Sequence, residues 1–312
     1  MALFLQRVFD GMFNSAIYAS LAIALVFIYR ATGLLNFAQG ELATFSAFVG
    51  FLVLGPHAPP VAGEGLVSVL PGLPWPVPLA ILGAVAFGIL GGAAAERVLI
   101  RPMQSRPLLA VVNITIGLLI ALNALTAELW TTRPRIFPSP FPSEPEDFIG
   151  VGGARLRFET LGVWAALLGV LVLLGLLLRR TRTGLAFRAI TANRESARLV
   201  GIDVGRTLMF GWAVAGGLGA LAATLVADAV LLEPNMMLRL MIFSFAAATI
   251  GGLDSPKGAI VGAIIVGMTQ TLIPGYTFIP SELSLLPPLV AMFLILMFKP
   301  TGLFGERQVE RV

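Results

Sequence analysis

Three polar side chains stand close together in the stretch LLNFAQGELATF, residues 34 to 45, between long apolar segments. Asn36 and Gln39 have the spacing of a capping box, in which each side chain satisfies a free backbone N–H at a helix start. Glu41 would be favoured by the helix dipole and would lie only about 7 Å below the membrane surface. Two compatible hypotheses follow: this group starts a membrane helix at the water boundary, or it lines the inner mouth of a transport pathway.

A second unusual segment, RRTRTGLAFRAITANRESARLVGIDVGRT at 179–207, holds seven arginines. Asn193 is a suitable N-cap, Glu195 suits the first turn of a helix, and Gly201 suits a left-handed helix end. The predicted helix is only about two turns long and would not be stable alone in water. It therefore has to dock on another surface.

The faces of this short helix indicate what it docks on. Arg194 and Arg198 lie one turn apart on the same side, and Ala197 and Val200 offer a narrow apolar patch. A small amphipathic helix with a basic flank fits a groove on a protein partner. The alternative is a basic loop on anionic lipid headgroups, which explains the arginines but not a capped helix. We therefore favour a cytoplasmic protein partner.

Composition predicts that these segments belong to a membrane protein. Of 312 residues, 57% are hydrophobic and 12% are charged, too few charges to cover a soluble domain. Seven runs without Asp, Glu, Lys or Arg are long enough to cross about 30 Å of hydrocarbon as a helix. We predict an all-α, polytopic membrane helix bundle of about eight to ten spans with a short cytoplasmic coupling helix. The runs are 11–29, 42–63, 65–95, 107–127, 160–178, 207–227 and 258–281, with shorter ones at 240–253 and 283–298.

The basic residues predict the orientation, because cytoplasmic loops collect Lys and Arg. A chain that starts outside, crosses nine times and ends inside places 15 of its 21 basic residues in inner loops. We predict this topology for a single transmembrane domain over residues 1–312. Its outer loop, 128–159, is rich in proline and should be extended rather than helical. Its basic loop, 179–206, should be cytoplasmic.

Two interrupted segments, 33–41 and 251–258, fall in different halves of the chain. Paired interruptions of this kind are typical of transporter sites built on discontinuous helices. We expect two short or broken helices on either side of GGLDSPKG, and Gly251 and Gly252 become candidates for the pathway.

Small residues recur every four positions within 207–227 and again after 257. This spacing lets two helix backbones approach closely in lipid. It favours helix packing within the subunit, and a seam between subunits is the alternative. The residues are Gly211, Ala215, Gly219, Ala223 and Ala227, then Gly258 and Gly262.

Polar residues of the fourth predicted span are weaker candidates for a pathway. Asn113, Thr115 and Asn123 lie in an apolar run, where polar side chains often hydrogen-bond to neighbouring helices. We interpret each one first as an interhelical hydrogen-bonding residue and second as a pathway contact.

Several kinds of chemistry have no sequence support. The chain has no cysteine and one histidine, His57, which we interpret as a loop residue in GPHAPP. It contains no GxxxxGK[ST] phosphate loop. Charges deep inside the predicted spans are scarce, although ion-coupled carriers depend on such groups. We therefore expect no catalysis, no metal and no cofactor in this chain, and an energy source in another polypeptide.

Four stretches together resemble the LivH-type permease subunits of branched-chain amino acid ABC importers. They are GLLNFAQGELATFSAF, ITIGL at 114–118, RAITANRESARLVGID, and TIGGLDSPKGAIVGAIIVG at 249–267, and they occur in the family's order. The resemblance covers nearly the whole chain. The insertion GPHAPPVAGEG and the long proline-rich outer loop depart from the family's pattern.

The resemblance implies a bacterial inner-membrane subunit with no cofactor of its own. A second homologous permease completes the pathway, two cytoplasmic ATPases use ATP, and a periplasmic or lipid-anchored protein delivers branched-chain or related amino acids. Other amino acids, amides or urea are the alternative substrates. By position, the coupling residues are Arg188, Asn193, Arg194, Glu195, Arg198 and Gly201, and the pathway candidates are Asn36, Gln39, Glu41, Asn113, Thr115, Gly251 and Gly252.

Two other functions remain open at this point. A self-contained secondary carrier or channel for small polar solutes would transport without partners. A membrane scaffold would transport nothing, but the paired interruptions count against it.

Overall fold

The computed structural model describes residues 1–54, 76–104, 106–130, 132–276, 280 and 283–305. His57 and the GPHAPPVAGEG insertion lie outside these ranges. Within them the chain folds almost entirely into helices, because long apolar runs satisfy their own backbone groups only in that form. The helices are α1 (Ala2–Thr32), α2 (Gln39–Leu54), α3 (Val77–Ala94), α4 (Leu108–Trp130), α5 (Phe158–Arg180), α6 (Arg182–Ala192), α7 (Arg194–Leu199), α8 (Val204–Val230), α9 (Met236–Gly251), α10 (Pro256–Tyr276) and α11 (Leu286–Phe298).

Among the described residues, six helical segments are long and apolar enough to cross a membrane. They are α1, α3 with its extension to Met103, α4, α5, α8 and α10. The shorter apolar helices α2, α9 and α11 match the remaining charge-free runs. The prediction of a polytopic helical membrane protein is confirmed.

The chain forms two compact units that alternate along the sequence. One comprises residues 1–27, 141–168 and the part from 240 onward, and the other comprises 28–140 and 169–239. Helices α1, α5 and α9 each contribute residues to both units. The coupling segment and the polar stretch at 36–41 both belong to the second unit.

Glycine contacts hold the core of the second unit together. A methyl group on Gly88 of α3 would lie 2.5 Å from the carbonyl oxygen of Gly216 on α8, and Gly92 faces the carbonyl of Trp212 in the same way. One helical step away, Gly219 faces Gln39 and Ala43 of α2. The small-residue ridge of α8 therefore packs inside the subunit, as we predicted.

The first unit uses the same device around GGLDSPKG. Gly251 at the end of α9 packs on the backbone of Gly258 in α10. Ser255 accepts a hydrogen bond from the N–H of Gly258 at 3.1 Å and so caps α10. Gly252 has a φ of 106°, which turns the chain between the two helices. Two helices flank this motif as expected, but only α9 is short, with 16 residues, whereas α10 has 21 and is long enough to cross a membrane.

The segment after the prolines, 148–157, forms a hairpin that the sequence did not lead us to predict. No helix occurs in 132–147, as expected from its prolines, but Phe148–Val151 (β1) pairs antiparallel with Ala154–Arg157 (β2). Gly152 and Gly153 form the turn with φ values of 58° and 81°. Two glycines between strands are a known signal for this turn.

Candidate functional site

The basic segment folds into two helices, where we predicted one. Thr181 caps α6 by accepting a hydrogen bond from the N–H of Gly184 at 2.9 Å. Gly184 packs directly on the backbone of Leu177 and Leu178, so α6 turns back sharply against the end of α5. The capping signal at Thr181 and the spacing of the buried Phe187 and Ile190, three residues apart, were both present in the sequence and could have predicted α6.

Helix α7 has both caps that the sequence predicted. The side-chain oxygen of Asn193 accepts a hydrogen bond from the N–H of Ser196 at 2.9 Å. Gly201 has a φ of 84° and donates to the carbonyl of Arg198, while Ile202 donates to the carbonyl of Ala197, both at 3.0 Å. This pair of bonds is a Schellman motif. Six residues of helix are thus fixed at both ends.

Helix α6 packs against the N-terminal part of α8, and α7 is joined to the start of α8 by a short turn. Phe187 of α6 is buried against Gly211 and forms a T-shaped ring pair with Phe210 at 6.2 Å between centroids. Asp203, two residues after Gly201, caps α8 by accepting from the N–H of Arg206 at 3.0 Å.

The exposed end of α7 is apolar, and the patch differs from the predicted one. Ala197 is buried in the subunit and is not available to a partner. Leu199 is 88% exposed and Val200 76%, so these two side chains form the free tip. Arg188, Asn193, Glu195, Arg198 and Gly201 are also exposed.

Arg194 differs from the other coupling candidates because it is half-buried. Its Nε atom is buried without a hydrogen-bond partner among the described residues. Burial lowers the pKa of this guanidinium, the nearby Arg198 lowers it further, and Glu96 raises it. An arginine remains protonated under such influences, so Arg194 carries a poorly solvated positive charge.

The polar stretch at 36–41 is buried within the subunit, and both hypotheses for it, a helix start at the water boundary and the inner mouth of a pathway, stay predictions. Asn36, Gln39 and Glu41 are each no more than 2% exposed. Helix α2 begins at Gln39, whose side chain donates to the carbonyl oxygen of Ala215 at 2.8 Å. Ala215 lies eleven residues after the start of α8, about 16 Å along its axis. Helix α2 therefore starts beside the middle of α8, where that carbonyl accepts from Gln39.

The capping box is also different in detail. The oxygen of Asn36 accepts from the N–H of Ala38 at 3.1 Å, so Asn36 covers a free backbone donor as predicted. Gln39 does not reach back to the backbone of Asn36. Instead its side-chain oxygen accepts from the Asn36 amide at 3.2 Å, which leaves its own amide free to reach α8.

Asn123 of α4 connects Glu41 to Pro234 and Asn235. The amide of Asn123 lies 3.3 Å from a carboxylate oxygen of Glu41, 3.2 Å from the carbonyl of Pro234 and 2.9 Å from the side chain of Asn235. These bonds link α2, α4 and the connection between α8 and α9. The first interpretation of Asn123, as an interhelical hydrogen-bonding residue, is confirmed.

The family model for the branched-chain amino acid transport system permease component matches residues 7–297. The chain belongs to this family. The LivH permease protein of the high-affinity branched-chain amino acid transport system of Escherichia coli K12 is 26% identical over 99% of this chain and 98% of its own length. The BraD permease protein of Pseudomonas aeruginosa PAO1 is also 26% identical, over the same shares. A solved inward-facing ABC transporter of metal-chelate type covers 96% of this chain and 88% of its own at 17% identity, with a TM-score of 0.44 that is too low to assign a fold.

Membership of this permease family decides between the functions left open by the sequence. The chain is a multi-pass membrane permease of the ABC transporter class, and such permeases work with the other components of their transporter. The self-contained carrier is the less supported alternative.

The structure brings together only some of the pathway candidates. Asn36, Gln39 and Glu41 form one group, while Asn113 is exposed on α4 and the hydroxyl of buried Thr115 donates to the carbonyl of Val112 at 2.8 Å. Gly251 and Gly252 lie in the other unit, where their surroundings are closely packed backbone. A transport role for each of the seven stays a prediction.

The burial of Glu96 was not predicted from the sequence. Glu96, just after α3, is fully buried and pairs with Arg101. The sequence places it at the edge of a charge-free run, where a charge usually marks the end of a span. Its spacing from Arg101, five residues, does not suggest a pair on an ordinary helix.

Proposed function

We propose that this chain imports branched-chain, or closely related, amino acids across the bacterial inner membrane as the permease subunit of an ABC importer. The names of LivH and BraD, which align over the whole length of this chain, support the substrate class. The chain supplies a gated pathway and no catalysis. It holds no cofactor, and ATP is used by its partners.

The partners follow from the same proposal. A second homologous permease completes the pathway, two cytoplasmic ATPases drive it, and a periplasmic or lipid-anchored binding protein delivers the substrate. The charge distribution supports an outer N-terminus and an inner C-terminus, because basic residues concentrate in loops on one side.

The observation that carries the coupling part of the proposal is the construction of α6 and α7. A six-residue helix with two caps is unusual unless it has to keep its shape outside the core. Leu199 and Val200 expose an apolar tip that is flanked by the exposed Arg198. Such a tip fits an apolar groove with an acidic rim on an ATPase.

The pathway part of the proposal involves the start of α2. A helix that begins deep in a transport protein leaves free N–H groups near the middle of the bilayer, where substrates of transporters bind. Asn36, Gln39 and Glu41 form this helix start, and we propose that together they support the wall of the pathway on the side of this subunit.

Uptake by the purified complex tests the proposal. The chain is tagged and isolated from its own membrane with its partners, then reconstituted into vesicles with the binding protein. We expect ATP-dependent uptake of radiolabelled leucine, isoleucine or valine, and competition with other amino acids, amides and urea defines the range. Uptake by the chain alone, driven by a proton or sodium gradient, would instead show that it is a self-contained secondary carrier.

The orientation has a separate test, since the chain contains no cysteine. Ser196→Cys places a single thiol on α7 and Glu146→Cys places one in the proline-rich loop, and both positions are exposed. An impermeant maleimide added to whole cells stripped of their outer membrane should label position 146 only. Labelling of position 196 from the outside would exclude a cytoplasmic partner for α7.

A further inference from the structure

Helix α3 does not end as an ordinary α-helix. Residues Ala95–Ile100 form a π-helical turn, followed by a 3-10 turn over Arg101–Met103. The N–H of Arg101 bonds to the carbonyl of Glu96, five residues earlier, which is the π pattern. Turns of this type are rare and occur often at functional sites.

The side chains of the π-helical turn are arranged around one buried carboxylate. Glu96 is fully buried, and its two oxygens lie 3.1 Å from a terminal nitrogen of Arg101 and 3.4 Å from its Nε. The amide of Gln104 donates to the same carboxylate at 3.2 Å. Removing one partner of such a buried pair leaves an uncompensated charge, which is strongly destabilising.

The ion pair and the π-helical turn depend on each other. In an α-helix each residue advances by about 100°, so residues five apart point about 140° away from each other. The extra residue in the π-helical turn brings Arg101 over Glu96, where the two can pair. A return to α-helical winding would separate them and rotate every residue after the turn.

The Glu96–Arg101 pair lies where the end of α3 meets the start of α8, the helix that follows α6 and α7. The guanidinium carbon of Arg101 is 3.1 Å from where a side-chain carbon on Gly205 would be, so Arg101 lies directly on the first turn of α8. That turn begins three residues after Gly201, the end of the capped α7. Arg194 of α7 also lies within the electrostatic reach of Glu96.

We propose that Glu96 is a positioning residue: by pairing with Arg101 it holds the π-helical turn in register against the first turn of α8. This contact in turn sets the position of α6 and α7 relative to α3. This rests on the proposed function, because an ATPase must displace α6 and α7. The glycine contacts of Gly88 and Gly92 fix α3 to α8 farther along. The π-helical turn is then the place where the end of α3 changes register while those contacts persist.

The test uses the complete transporter and the variant Glu96→Gln, which keeps the size of the side chain and removes its charge. We expect ATP hydrolysis to stay within about twofold of the wild type while uptake per ATP falls at least tenfold. The matched control is Glu128→Gln, the same change at an exposed position of α4, which should leave both quantities unchanged.

A second readout reports the position of α7 without transport. Val98 in the π-helical turn and Ser196 on α7 are both exposed, so Val98→Cys with Ser196→Cys gives a spin-labelled pair in a chain free of other thiols. We expect Glu96→Gln to shift or broaden the distance distribution between the two labels. Arg101→Lys, which keeps the charge but loses the two-pronged contact, should do the same and replaces Glu96→Gln if that variant does not insert.

The outcomes separate this inference from the proposed function. An unchanged distance distribution together with unchanged uptake per ATP in both variants would overturn the role of Glu96. If Glu96→Gln changes the distance distribution but Arg198→Glu has normal uptake, Glu96 remains a positioning residue. The proposed docking of α7 on an ATPase would then be wrong.

Discussion

The side-chain amide of Gln39 donates a hydrogen bond to the backbone carbonyl oxygen of Ala215, 2.8 Å away and eleven residues into α8. This bond joins the first residue of the short helix α2 to the middle of the long helix α8. In lipid, the free N–H groups at a helix start have no water to bond with, so side chains must satisfy them. Asn36 does so for Ala38, and the polar stretch is therefore a structural unit before it is a pathway.

Asn36→Ala should mainly lower stability. The change removes the acceptor of the Ala38 N–H and the donor to Gln39, and a buried unsatisfied group costs about 1–3 kcal/mol. Thermal unfolding in detergent should show a lower midpoint, with uptake retained in proportion to folded protein. Thr132→Ala, which also shortens a polar side chain but at an exposed position, is the control. Loss of uptake at normal stability would make Asn36 a pathway contact.

Asn123→Ala should weaken the link between α2 and α4 through Glu41. A double-mutant cycle with Glu41→Gln isolates this bond. The free energy of unfolding is measured for the two single variants and the double variant under the same conditions. We expect a coupling free energy of about 0.6–1.7 kcal/mol, the range of polar bonds between membrane helices. Strict additivity of the two changes would show that the 3.3 Å contact contributes nothing.

The helices were predictable from the sequence because membrane segments must be apolar over their whole length. Within the described residues, each of the nine charge-free runs overlaps a helix. The caps Asn193 and Gly201 were predicted correctly because capping is local. The π-helical turn was not predictable. It depends on the fit between Arg101 and Gly205, which lie more than a hundred residues apart.

The candidate site was predictable only in part. Arg198 and the caps of α7 follow from local patterns, but the burial of Ala197 depends on how α7 rests on its neighbours. The bond from Gln39 to Ala215 was not predicted for the same reason. Charge patterns fix where a segment enters the membrane, and they do not reveal a polar group that is satisfied by another helix.

Opposite effects are expected from one substitution at two glycines. Gly88→Ala would push a methyl group against Gly216 and Ala220, and overpacking of this kind costs about 1–3 kcal/mol. Gly117→Ala on α4 meets no neighbouring atom within 4 Å and should stabilise the helix by about 0.5–1 kcal/mol. The unfolding midpoints in detergent should therefore move in opposite directions. Equal shifts would mean that α3 and α8 are not in backbone contact in solution.

Gly201→Ala should loosen the end of α7. A side chain at a φ of 84° costs about 1–2 kcal/mol, and the two Schellman bonds depend on that conformation. Hydrogen exchange of the amides at 201 and 202 should become faster, and uptake per ATP should fall. Gly169→Ala, in the body of α5 where nothing lies within 4 Å, controls for the change itself. Unchanged exchange at 201 and 202 would mean that the cap is not formed.

Charge reversal on α7 should separate ATP hydrolysis from transport. Arg194→Glu with Arg198→Glu should abolish uptake while the chain still inserts, because the docking tip would then repel an acidic rim on the ATPase. Arg179→Glu with Arg180→Glu makes the same charge change at exposed positions of α5 and should retain uptake. Arg198→Glu alone is the sharper variant, since Arg194 also lies within the electrostatic reach of Glu96 and its reversal disturbs that pair. Normal uptake by Arg198→Glu, with the double variant inactive, would place the defect at Glu96 instead of at the ATPase contact.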